Sequence, residues 1–142
     1  LNSFSKNKLL DSLKRHEGLS LAAYQDHLGY WTIGYGRLID SRKNGGLSSD
    51  EAEYLLLNDI NKCVASVQKA LPWVTDLVDA RQRVLYEMCF QLGLAGLLDF
   101  KRTLKSIEDS RWQDAFDGML NSKWATQTPT RAKELAEMML RG

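Results

Sequence analysis

Cysteine and histidine are scarce in this 142-residue chain, which has two of each. Cys63 and Cys89 fall in helical patterns with no CxxC and no His/Cys cluster beside them. Neither a disulfide framework nor a metal centre is therefore expected, and the two read as small buried residues. An excess of one charge sign is also missing. Nineteen basic residues face eighteen acidic ones, a formal net charge of +1, whereas nucleic-acid-binding domains show a clear basic excess. No nucleic-acid partner is expected, although a local basic rim could still settle the protein on an anionic polymer. No run of about eighteen apolar residues occurs, so no membrane insertion is expected. The opening Leu1-Asn2-Ser3-Phe4 lacks the charged and apolar regions of a signal peptide, and a start on Leu rather than Met leaves a removed leader open.

What the chain does have is 44% hydrophobic residues, enough to give one domain a core, and one concentrated stretch from Glu17 to Arg37, EGLSLAAYQDHLGYWTIGYGR. Phe4, Leu9, Leu10 and Leu13 recur at helical spacing before it, and Gly18 is a natural left-handed stop. A first helix from about Phe4 to His16 should thus deliver Glu17 in its last turn. The negative pole of the helix dipole lies there and disfavours a second negative charge, which suits a general acid. An ordinary exposed helix-end acid is the alternative. After Gly18, Leu21, Ala23 and Gln25 alternate with Ala22, Tyr24 and Asp26. His27-Leu28-Gly29 then offers a turn, and Tyr30-Trp31-Thr32-Ile33 is rich in strand formers, so a β-hairpin is expected. Asp26 would stand ionised at the entrance to the turn, with Thr32 on the returning strand, near enough to help hold a water. Gly34 and Gly36 interrupt the following strand, as where a backbone or ligand comes close. Two carboxyls in unlike environments are what glycoside hydrolysis requires.

Leu38 and Ile39 suggest a third short strand, and Ser41–Gly46 is a loop by composition. A capping box from Ser48 to Glu51 opens a long helix. In it Ala52, Leu55, Leu56, Ile60, Cys63, Val64 and Val67 recur until Leu71-Pro72, and about twenty helical residues span about 30 Å. Everything beyond Pro72 reads as helical. Ala80, Val84, Leu85, Met88, Cys89 and Leu92 form an apolar face that Gly93 terminates, with Phe90 and Gln91 at its margin. Leu94–Phe100 reads as a connection, Arg102–Asp109 as a helix with Leu104 and Ile107 inward, and Trp112, Ala115, Phe116, Met119 and Leu120 as the next. Thr128 as cap and Pro129 at the first position open the last helix, with Arg131 in its first turn.

Glu17, Asp26 and Thr32, with eight and then five residues between them, resemble the catalytic Glu, Asp and Thr of the phage T4-type lysozymes, the endolysins or muramidases of glycoside hydrolase family 24. The segments HEGLSLAAYQD, GYWTIGYGRLI, LSSDEAEYLLLNDI, MCFQLG and SKWATQTPTRAKEL resemble that family in the same order, over nearly the whole chain. The resemblance implies an α+β, mostly α, two-lobed fold. Its small β-rich lobe is residues 18–47, its helical lobe residues 1–17 and 72–142, and its connecting helix residues 48–71, all within one lysozyme domain, 1–142. It also implies an N-acetylmuramidase cleaving the β-1,4 bond between N-acetylmuramic acid and N-acetylglucosamine in peptidoglycan. Glu17 would be the acid, and Asp26 with Thr32 would activate water on the opposite sugar face. Leu38, Phe90 and Thr103 would meet the glycan, and Arg131 would support Glu17.

A lobe-core leucine, a plain core aromatic and a solvated arginine are the alternatives for Leu38, Phe90 and Arg131. No cofactor and no metal is implied. The partner would be bacterial peptidoglycan and the chain a monomer, of phage origin or from a prophage or bacterial relative that would read the same. It would be made in the host cytoplasm and act on the periplasmic side of the wall after release through a holin or an export signal not visible here. Two positions depart from the family pattern: an asparagine contact appears as Gly118, and an ion-pairing histidine as Arg37, which could pair without titrating near neutrality. A wall-binding module without catalysis and a lytic transglycosylase are the competing readings. The filled catalytic positions weigh against the first, and Asp26 with Thr32 against the second.

Overall fold

The computed structural model describes residues 2–142. Helix α1 spans Ser3–Glu17 and is followed by strands β1 (Ser20–Gln25), β2 (Trp31–Gly34) and β3 (Arg37–Leu38). Helices α2 (Ser49–Ala70), α3 (Asp79–Leu98), α4 (Lys101–Glu108), α5 (Trp112–Leu120), α6 (Lys123–Gln127) and α7 (Pro129–Arg141) complete the chain, with 3-10 turns at Ser41–Lys43 and Pro72–Asp76. This is the mostly α, α+β class expected from the sequence. Two compact units divide it, Leu1–Glu53 and Tyr54–Gly142, and the boundary falls inside α2. Among the described residues no helix is long and apolar enough to cross a membrane.

In the first unit, the Asn2 side chain accepts from Ser5 N at 2.9 Å and starts α1. Gly18 stops it, but not in the left-handed helical conformation expected. Its φ of 69° and ψ of 164° belong to a region open essentially to glycine alone, and they send the chain straight from helix into strand. The apolar stripe expected on α1 carries no buried residue. A single helix needs an opposing surface to bury such a stripe, and three short strands offer little.

The sheet is antiparallel in the order β1-β2-β3. Tyr24 faces Thr32 and Gln25 faces Trp31 across β1 and β2, while Thr32 faces Leu38 and Ile33 faces Arg37 across β2 and β3. The buried side chains of this unit are polar, Thr32 and Asp40, while Tyr24, Tyr30, Ile33, Leu38 and Ile39 are half-buried. The expected capping box is present. Ser48 N donates to Glu51 Oε1 at 2.9 Å and Glu51 N to Ser48 Oγ at 3.2 Å.

The apolar core lies in the second unit, where Leu85, Met88, Leu97, Ile107, Met119 and Met139 are the largest fully buried side chains. Of the α2 face read from the sequence only Val67 is buried. Gly93 does break α3, at φ 75° and ψ 165°, yet residues 94–98 resume a helical turn where a plain connection was expected. Helix α6 was also not anticipated. Ser122 Oγ accepts from Ala125 N at 3.1 Å and nucleates it. Trp124 of that helix packs edge-on against Phe100, with centroids 5.9 Å apart, and its indole N–H donates to Gln91 Oε1 at 2.9 Å. Thr128 precedes α7 as expected, but its hydroxyl donates back to Trp124 O at 3.1 Å instead of capping.

Candidate active site

Glu17 is the last residue of α1, in a turn carrying Lys14, Arg15 and His16, cations that complement the negative pole of the dipole. Its carboxylate rests against the β2–β3 turn. A Cβ built on Gly36, which has φ +73°, would lie 2.7 Å from Glu17 Oε2 and 3.3 Å from Cδ. One turn back on the same helix face, Lys14 Nζ stands 5.8 Å from the centroid of the Tyr35 ring. Two contacts therefore fasten the end of α1 to one turn.

Asp26 occupies the opposite end of β2. Its Oδ1 accepts from Leu28 N and from Tyr30 N, both at 2.9 Å, an Asx turn that closes the hairpin. Those main-chain donors, that of Tyr30 first, hold its carboxyl below the usual aspartate range. The Tyr30 peptide is the hub of this end. Its carbonyl accepts from Asp26 N and from Thr32 Oγ1, both at 2.9 Å. With its proton spent on that carbonyl, the buried Thr32 hydroxyl has lone pairs left to accept from a water. Directly opposed residues share a face of the sheet, so Asp26, opposite Tyr30, and Thr32, opposite Tyr24, point to the same side. Leu38, half-buried, faces Thr32 from β3.

Two ion pairs brace the sheet. Arg37 Nη2 lies 2.6 Å from Glu51 Oε2, and its Nη1 donates to Oε1 at 2.8 Å. This bidentate geometry holds the Glu51 carboxyl down from 4.5 to about 2, and Arg37 makes the pair anticipated at that position. The second was not anticipated: Asp40, nearly buried, accepts from Trp31 N, Arg42 N, Arg42 Nε and Arg42 Nη2 at 2.8–3.3 Å. The Arg42 guanidinium and these donors keep its carboxyl well below the usual range. The loop composition around Ser41 hid this residue, although an Asp one position before such a loop is the residue type that caps a turn.

The other candidates lie in the second unit. Phe90 is exposed on α3 and lines a cavity of about 610 Å³ with Leu56, Ile60, Tyr86, Arg131 and Met138. Arg131 Nε donates to Glu87 Oε2 at 2.9 Å in that same cavity. Thr103 is buried on α4, where its Oγ1 fills the space above Gly118 of α5, so a Cβ on Gly118 would strike it. Glu17, Asp26, Thr32 and Leu38 thus gather on one small sheet and the helix end beside it. Phe90 and Arg131 share a cavity, and Thr103 belongs to the α4–α5 contact.

The family model described as phage lysozyme matches residues 14–141. Two proteins of Dictyostelium discoideum, "Probable T4-type lysozyme 1" and "Probable T4-type lysozyme 2", are 30% and 31% identical to the chain over 162 aligned positions, covering 96% of it and 95% of each relative. A "Peptidoglycan hydrolase" of Pseudomonas phage phiKMV is 29% identical over 140 positions, covering 96% of this chain and 15% of that protein.

Proposed function

Since the chain belongs to the phage lysozyme family, we propose that this peptidoglycan hydrolase is an N-acetylmuramidase, cutting the β-1,4 bond between N-acetylmuramic acid and N-acetylglucosamine with inversion. The observation that carries this is the placing of two carboxyls at opposite ends of β2, with a buried threonine hydroxyl between them. From Tyr30, beside Asp26, to Gly34, at the turn that meets Glu17, is four residues. At about 3.3 Å each the backbone spans about 13 Å. Inverting glycosidases keep their carboxyls about 6.5–9.5 Å apart, with room for a water, so this reading requires the two side chains to close part of that backbone distance.

Glu17 protonates the leaving glycosidic oxygen. Asp26, kept ionised by the Leu28 and Tyr30 N–H groups, takes a proton from the water that attacks the anomeric carbon, and Thr32 Oγ1 accepts that water's other hydrogen to aim it. One C–O bond breaks, one forms, and the proton given by Glu17 is balanced by the one taken by Asp26. Leu38 lies beside Thr32 where a sugar ring would contact it. Phe90, as an exposed aromatic in a cavity, suits stacking on the glycan, whereas Thr103, packed on Gly118, and Arg131, paired with Glu87, are given no part in the reaction. The chain acts as a monomer on the wall's peptidoglycan and not on nucleic acid, reaching the periplasmic face through a holin or an export signal.

Digesting purified peptidoglycan and identifying the fresh ends tests this. Reducing muramic acid ends, released first as the α-anomer, are expected. Anhydro-muramic ends would replace hydrolysis by internal cyclisation, and an initial β-anomer would contradict inversion.

A further inference from the structure

We propose that Gly36 is a positioning residue for the general acid: its missing side chain leaves the space that the Glu17 carboxylate occupies, and this contact sets where the acid meets the glycosidic oxygen. The proposal rests on the assignment of Glu17 as the acid. The three heavy atoms nearest to a Cβ at Gly36 all belong to Glu17, with Oε2 at 2.7 Å, Cδ at 3.3 Å and Cγ at 3.6 Å. A real Cβ could not remain at the first distance, so either the carboxylate or the turn would have to move. Retreat of the turn is opposed by what fastens it. Arg37, the next residue, is fixed by its paired bonds to Glu51, and Tyr35, the preceding one, meets Lys14. The flexible partner is the Glu17 side chain, so the displacement would fall on the acid. A shift of about 1 Å in a reacting group is enough to cost about a hundredfold in rate.

The chain supplies its own control two residues away. Gly34 has φ +70°, matching the +73° of Gly36, and a Cβ there would meet nothing within 4 Å. Alanine at either position would sit at a positive φ that L side chains rarely adopt, and only at Gly36 would its Cβ reach Glu17.

The experiment measures kcat and KM on soluble peptidoglycan oligomers, with melting temperatures, for the parent, Gly34→Ala, Gly36→Ala and Glu17→Gln. We expect Gly36→Ala to lose at least tenfold in kcat with KM within twofold of the parent, and Gly34→Ala to keep most of its kcat. Equal losses in the two alanine variants would overturn the proposal, since backbone strain alone would then explain them. A Gly36→Ala enzyme as active as the parent, beside an inactive Glu17→Gln, would overturn it while leaving Glu17 as the acid. An active Glu17→Gln would remove both. If Gly36→Ala is too unstable to assay, melting decides the matter. Glu17→Ala added to Gly36→Ala should recover the melting temperature lost in excess of Gly34→Ala, and no recovery would refute the contact.

Discussion

Gly118→Ala is a small change whose outcome follows from one contact. In a helix interior, alanine is favoured over glycine by about 0.8–1.0 kcal/mol, so the substitution in α5 would be stabilising on propensity alone. The added Cβ, however, collides with the buried Thr103 Oγ1 of α4, and overpacking of a packed interior costs about 1–3 kcal/mol. The net expectation is a loss of about 0–2 kcal/mol, the difference of those two ranges. For a domain of this length that lowers the melting midpoint by up to about 8 °C, at about 4 °C per kcal/mol. Thr103→Ala removes the obstructing oxygen. On that background the same Gly118→Ala should turn stabilising by about 1 kcal/mol, so the two substitutions couple by about 1–3 kcal/mol. Urea unfolding of the four proteins, with slopes checked for constancy, measures this. Additivity within about 0.5 kcal/mol would refute the contact.

Asp26→Asn keeps an oxygen for the Leu28 and Tyr30 N–H groups and removes the charge. Its melting midpoint should stay near the parent's while kcat falls by about 10²–10⁴, and an active variant would displace Asp26 from its role. Arg37 is charged at all relevant pH values, so its pair with Glu51 is intact above 4.5 and is lost only as pH falls toward about 2. Arg37→His should add a second limb. An imidazolium paired with Glu51 titrates above its ordinary value of about 6.5, so its contribution is complete below that value and fades as pH rises through the raised one. From about pH 5 to 9 the melting midpoint of the variant should fall relative to that of the parent, and parallel curves would contradict the pair. Asp40→Ala removes the acceptor of the Trp31 and Arg42 N–H groups. Hydrogen exchange should speed at those two amides first, and unchanged rates there would show that the loop is held by something else.

Much of the site is visible in the sequence because its geometry is local. The Leu9–Leu13 spacing and Gly18 place Glu17 at the end of α1, and Ser48 with Glu51 spells the capping box of α2. The three-residue turn after Asp26 sets a hairpin register that puts Asp26 and Thr32 on one face. What was not visible depends on contacts across the chain or on backbone angles. Positive φ is legible from glycine at Gly18, but ψ is not, and the 164° found there turns a helix cap into a direct entry to β1. Asp40 reads as one polar residue before a polar loop, and only the fold shows four donors converging on it. The same holds for Gly118, whose meaning is the Thr103 hydroxyl lodged against it. Thr128 has the sequence of a cap, but the unexpected turn of α6 offers its hydroxyl the carbonyl of Trp124 instead.

Clearing of purified peptidoglycan by the parent and by Glu17→Gln, compared at equal concentration and with both shown to be folded, bears most directly on the assignment of the acid. Glutamine keeps the size of the side chain and so its seat against Gly36, but it cannot donate the proton that the leaving oxygen needs. Clearing by the parent alone, with reducing muramic acid ends, is the predicted result. A Glu17→Gln protein that clears the wall at the parent's rate, or a folded parent that binds the wall and leaves it uncut, would contradict it.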